Sequence, residues 1–254
     1  DDGKEFSDLV DFARSAMQQA KSIEGSKYVR YSEQLSFDHG GATSLAAELR
    51  TAVRKNQFEL HYQPRIDLAT GQLVGLEALL RWNHPERGIV SPEQFISITE
   101  QTGLIVSIGE WVIRTALAEV ATWDTDAKIS INLSPVQVRH KGIVSIVTQA
   151  LAQSQISPNR VEFEITESVL LDDNEASMQR LRDLKSLGVL IALDDFGTGY
   201  SSLSYLRLFP FDKIKIDKSF VHAMDDSLEC RAIVQAVTSL AKTLGISSTA
   251  EGVE

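Results

Sequence analysis

One cysteine, Cys230, in 254 residues excludes an intrachain disulfide and points to a reducing, cytoplasmic compartment. Histidine is also scarce, with five copies, and neither residue type stands at the end of an expected strand, which argues against a zinc centre. No apolar run approaches the roughly 20 residues that span a bilayer, and no secretory leader is recognisable. Positive charge is in deficit: 25 Lys and Arg against 35 Asp and Glu give −10 overall, with a pI near 5.0. That balance excludes a scaffold for nucleic-acid polymers, which are gripped by surplus Lys and Arg. A small phosphorylated substrate stays open, because bound cations override the global field. Glycine-rich phosphate loops of the Rossmann and P-loop types are absent too.

What is present is a 43% hydrophobic chain, enough for one good-sized domain, or one domain plus a fragment. It opens Asp1-Asp2-Gly3 without an initiator Met, so a longer parent is expected, with any sensor or membrane tether upstream. Residues 5–24 carry an apolar stripe (Phe6, Leu9, Phe12, Ala13, Ala16, Met17, Ala20) that predicts a helix. The break Asp38-His39-Gly40-Gly41 divides this helical leader, residues 1–40, from a main body at 41–254.

In the main body a helix over 44–55 precedes two strands, 58–67 and 73–82, joined at Thr70-Gly71 as a hairpin. Ser91-Pro92-Glu93-Gln94 starts a helix that Gly103 closes, and another is expected over 105–123. Strands and helices then alternate. Strands are expected at 128–132, 160–165, 189–193, 212–216 and 247–250, with helices at 174–187, 201–206 and 228–244. Alternation of this kind predicts an α/β fold, a (β/α)8 TIM-like barrel with an antiparallel first strand. Seven barrel strands are counted, so the last βα unit is expected to lie beyond Glu254.

Polar residues gather at the expected strand ends: Glu77, Asn132, Glu164, Asp194 with Asp195, Lys215 and Glu251. A barrel brings such positions to one mouth, where catalytic side chains are mounted. Singly, each is a cap or a salt-bridge partner; Asp194-Asp195, for instance, also suits an aspartate-capped turn. Together, so many carboxylates repel one another unless hard divalent cations with oxygen ligands join them. One lysine among the acids suits a group that orients water or neutralises a phosphoryl oxygen. The chemistry expected is metal-assisted hydrolysis of a phosphodiester, with two ions.

Glu77-Ala78-Leu79 followed by Arg81-Trp82 resembles the signature of EAL domains, bacterial phosphodiesterases of cyclic di-GMP. His61-Tyr62-Gln63-Pro64, Asn132-Leu133-Ser134-Pro135, Glu164-Ile165-Thr166-Glu167-Ser168, Asp194 to Ser201, Lys215-Ile216-Asp217 and Ala250 to Glu254 match in order and spacing. The resemblance implies that Glu77, Asn132, Glu164 and Asp194 bind two Mg2+ or Mn2+ ions, with Asp195 at the second ion and Glu251 a further ligand. It implies that Lys215 positions the nucleophilic water, that Gln63 and Arg81 contact the dinucleotide, and that Glu167 braces the loop from Asp195 to Ser201. Hydrolysis to linear pGpG, inhibition by Ca2+ and a homodimer are expected with it. The alternatives are an effector that binds cyclic di-GMP without turnover, or a barrel acting on another phosphodiester. The leader segment 12–21 resembles the closing helix of GGDEF domains, which often precede EAL domains; the alternative is a generic signalling or linker helix, and the GGDEF motif itself is absent.

Overall fold

The structure, a computed structural model, describes residues 41–171, 175–197, 206 and 209–253. The leader at 1–40 and nearly all of the expected helical piece at 201–206 lie outside the described residues. Among the described residues two compact units emerge, one of 41–59 with 81–104, the other of 60–80 with those from 105 onward.

In the first unit, helix α1 (Gly41–Arg54) buries Leu45, Leu49 and Ala52, a spacing of four and three that keeps one face apolar. It packs on α2 (Pro92–Thr102), whose Phe95 meets Phe58 and Trp82 in tilted and edge-to-face ring contacts. Trp82 is fully buried and its indole N–H reaches Gln57 Oε1 at 3.2 Å. Ser91 is the N-cap of α2 as expected, but its hydroxyl caps nothing; its carbonyl accepts the Gln94 N–H. Gly103, at φ 73°, ends the helix in the left-handed region that glycine tolerates.

The sheet runs β1 (Phe58–Ile66), β2 (Leu73–His84), β4 (Lys128–Asn132), β5 (Val161–Thr166), β6 (Leu190–Phe196), β7 (Lys213–Ile216) and β8 (Ser247–Ala250) in hydrogen-bonded order, and it curls as a half-barrel. A short β3 (Gly88–Val90), not expected from the sequence, pairs antiparallel with the end of β2. β1 and β2 form the hairpin, whose turn is tied by Asp67 Oδ1 accepting from the Ala69 and Thr70 amides. From β2 onward the pairing is parallel. Val161 to Ile165 are buried without exception, as a strand covered on both faces requires.

Helices α3 (Leu104–Val120), α4 (Pro135–Arg139), α5 (Ile143–Ser154), α6 (Ser168–Leu171), α7 (Glu175–Ser186), α8 (Lys218–Ala223) and α9 (Leu228–Leu244) connect the strands. Ser134 caps α4 with a full capping box, its hydroxyl accepting from Gln137 N–H while the Gln137 side chain accepts the Ser134 N–H. The start of α4 follows the capping signature Ser134-Pro135-Val136-Gln137 that the sequence carries, whereas α5, α6 and α8 go beyond the sequence expectation. One boundary is corrected: β6 does not stop before the two aspartates but runs through them to Phe196, with its register to β7 shifting between Leu193 and Phe196. That irregularity is where Asp195 takes φ 52°, so the strand survives by bulging rather than by ending.

Candidate active site

Side chains two apart on a strand share a face, and parallel registry stacks those faces into layers. Glu77 pairs in register with Ser130, Asn132 with Glu164, Thr166 with Asp194, and Lys215 with Thr249. Glu77 stands in the middle of β2 rather than at its end, yet it is where parallel pairing runs out: the last β2–β4 pair is Ala78 with Ile131. Glu251 follows β8 directly. The expected strand-end residues of this unit therefore do converge.

They converge on Lys215. Its Nζ lies 2.5 Å from Glu164 Oε2, 2.7 Å from Glu251 Oε1, 3.1 Å from Asp194 Oδ2 and 3.4 Å from Glu77 Oε2. Asn132 Nδ2 donates to Glu77 Oε1 at 2.8 Å, which turns its Oδ1 into the atom able to ligate. Lys215 is 2% exposed and Glu164 1%. Burial pushes the Glu164 carboxyl up to about 7 against the pull of Lys215, with Glu77 and Asp194 adding like charge. Asp194 is pushed up to about 6 for the same reason, with Glu251 and Asp195 as its like-charged neighbours. Lys215 is raised as well, which for a lysine favours the charged form: burial opposes its charge, but four carboxylates hold the proton on more firmly than usual. The lysine has every acid to itself, whereas each acid shares one lysine with its rivals.

Asp195, half-buried, is raised by burial and by Asp217 nearby. Ligand oxygens of Asp194, Asp195 and Glu251 lie within 4.8 Å of one another. Glu167 Oε1 accepts the Gly197 N–H at 3.3 Å, so the residue expected to brace the loop does touch its first turn. Gly197 has φ 102°, and a Cβ there would sit 2.9 Å from Phe220 Cε2. On the far side, His222 Nε2 lies 2.7 Å from the carbonyl oxygen of Gly252, next to Glu251. Gln63 is exposed on β1, and Arg81 lies half-buried on β2 within the first unit.

A second ionic layer, missed in the sequence, lies one pleat below. Glu162 Oε1 takes Arg65 Nη1 at 2.5 Å, Lys213 Nζ at 2.8 Å and the Ser130 hydroxyl at 2.8 Å. Arg65 Nη1 also lies 3.2 Å from Glu164 Oε1 and so joins the two layers. Burial opposes the charge on Glu162, but Arg65 and Lys213 overcome it and hold the carboxyl down at about 2. The legible signal was the period-two pair in apolar strands, Glu162 with Glu164 and Lys213 with Lys215.

The donor set suits hard divalent cations. Every ligand-type atom is oxygen, and five carboxylates face one ammonium, an imbalance that added positive charge relieves.

Residues 46–254 match the EAL domain family. MucR of Pseudomonas aeruginosa, named a bifunctional diguanylate cyclase/cyclic di-GMP phosphodiesterase, is 39% identical over 257 residues, covering 100% of this chain and 38% of that protein. NbdA of the same organism, named a cyclic di-GMP phosphodiesterase, is 35% identical over 257 residues, covering 100% of this chain and 33% of its own length. A solved structure of the PaMucR phosphodiesterase in complex with c-di-GMP superposes with a TM-score of 0.79 at 42% identity, over 83% of this chain and 87% of that one. The chain thus spans roughly a third of the length of these curated relatives. By the match over 46–254, the chain belongs to the EAL domain family.

Proposed function

We propose that this chain is a cyclic di-GMP phosphodiesterase that hydrolyses its substrate to linear pGpG with two divalent cations. The observation that carries the reading is the convergence of Glu77, Glu164, Asp194 and Glu251 on Lys215. The relatives named as phosphodiesterases and the complex with c-di-GMP support the substrate.

Glu77, Asn132, Glu164, Asp194, Asp195 and Glu251 are the residues that would hold Mg2+ or Mn2+. Such ions, when bound, supply Lewis acidity and make water nucleophilic at neutral pH. Lys215, already gathered among the carboxylates, orients the attacking water and offsets charge on the phosphoryl oxygens. Water adds to one of the two phosphodiester linkages: an O–P bond forms, the P–O3′ bond breaks, and the 3′ oxygen leaves with a proton. Gln63 and Arg81 are assigned to the dinucleotide, and Glu167 to holding the loop that begins at Gly197.

Among the described residues no helix is long and apolar enough to cross a membrane. A cytoplasmic location, a homodimer and an upstream GGDEF or sensory domain belong to the same proposal. The reaction is tested by incubating the chain with Mn2+ and cyclic di-GMP and separating products by chromatography. A pGpG peak supports it; binding without turnover would instead make the chain an effector.

A further inference from the structure

We propose that Arg65 is a positioning residue that sets the divalent-cation affinity of the site, by fixing the plane of the Glu164 carboxylate. This deepens the reading above, since it rests on Glu164 being a cation ligand.

Glu164 is held at both oxygens. Lys215 takes Oε2 at 2.5 Å, and Arg65 lies 3.2 Å from Oε1. With one oxygen released, a carboxylate beside Glu77 and Asp194 would swing away from its like-charged neighbours. The second contact removes that freedom, so the ligand oxygens stay where a cation meets them.

Arg65 is itself held for this task rather than for its own stability. Its Nη1 is anchored on Glu162, the residue that also takes Lys213 and Ser130. Its Nε is buried with no hydrogen-bond partner, a poor arrangement for a purely structural ion pair. The passage for the guanidinium is provided by Gly75 on β2. A Cβ there would lie 2.7 Å from Arg65 Nη2 and 3.2 Å from Nε. Removing Arg65 leaves Glu162 still paired with Lys213, so the lower layer keeps a cation.

The test measures Mn2+ binding by calorimetry, without substrate, on the 254-residue chain and its Arg65→Met and Arg65→Lys variants, with circular dichroism as the check on folding. Arg65→Met is expected to bind Mn2+ about 10- to 100-fold more weakly. The Mn2+ concentration for half-maximal turnover rises in step, while kcat at saturating Mn2+ and KM for cyclic di-GMP hold near wild type. Arg65→Lys, which keeps the charge but loses the planar fork, recovers part of the affinity. A folded Arg65→Met that binds Mn2+ like wild type overturns the assignment. If Arg65→Met does not fold, Arg65→Gln decides by the same criterion. A wild type that binds Mn2+ but makes no pGpG removes the proposed reaction and leaves the Arg65 assignment to the binding data; one that binds no Mn2+ overturns both.

Discussion

Glu162 and Glu164 stand two residues apart on β5, are equally buried, and titrate in opposite directions, one held at about 2 and the other raised to about 7. Burial raises both. The difference is the company: Glu162 meets two cations and a hydroxyl, whereas Glu164 shares Lys215 with three other acids and Arg65 with Glu162, which lies nearer to it. The lower layer is satisfied by the chain alone, and the upper one is left short of positive charge. A satisfied layer beneath an unsatisfied one is what a preorganised cation site needs.

The first expected outcome concerns pH. Glu164 and Asp194 hold their protons more tightly folded, at about 7 and about 6, than at their ordinary values of 4.5 and 3.8. Their contribution to stability is full below those ordinary values and is lost as pH rises through 6 to 7. Glu162 works the other way, stabilising above 4.5 and losing that effect as pH falls toward 2. In EDTA, melting temperature should therefore fall between pH 5 and pH 8, and added Mn2+ should raise it most at the alkaline end. A flat profile in EDTA would contradict the unsatisfied upper layer.

Much of this was legible in the sequence, and the exceptions have physical causes. Strand 128–132 keeps its expected bounds because a short apolar run between polar ends marks it, and helix 228–244 because an apolar stripe and the caps Ser227 and Gly245 do. Helix α5 escaped because neither end carries the usual marks. Its N-cap Gly142 makes no side-chain cap, and its left-handed terminator is Gln155, at φ 58°, rather than glycine. The upper layer could be read because acids at strand ends are conspicuous. The lower layer left only the period-two pairs as a trace: Glu162 and Lys213 resemble ordinary surface charges until the parallel register turns them inward, and Arg65 reaches them from β1. Asp195 was placed after the strand because two adjacent aspartates read as a turn; the bulge lets both remain within β6.

Lys215→Met removes the cation that four carboxylates share. Breaking a buried ionic cluster from one side costs about 3–5 kcal/mol. For a domain of this size the melting temperature in EDTA should drop by roughly 10 °C at pH 8. Mn2+ should restore most of the loss, giving the variant a larger metal-induced shift than wild type. Turnover should stay absent even at saturating Mn2+. A variant as stable as wild type in EDTA would mean that the carboxylates do not depend on the lysine.

Calcium should separate binding from catalysis. Its bonds to oxygen are longer and its coordination looser than those of Mg2+. Titrated into a reaction running on Mg2+, Ca2+ is expected to suppress pGpG formation while still raising the melting temperature. Undiminished turnover in excess Ca2+ would count against a tight oxygen-ligand site.

Glu77→Ala sets stability against function. Glu77 Oε1 accepts from Asn132 and Oε2 lies 3.4 Å from Lys215, so its loss removes one ligand and releases another. Turnover should fall by more than about 100-fold, a larger effect than losing a residue behind the ligands. Yet Glu77 is also one of the like charges that push Glu164 up. Without it, repulsion in the upper layer is relieved, and the metal-free protein should melt no lower than wild type, with a weaker alkaline decline. The two readouts move apart because the acids are assembled for a cation rather than for one another. A folded Glu77→Ala protein with wild-type turnover would remove Glu77 from the site; one that unfolds in EDTA would make it a structural residue instead.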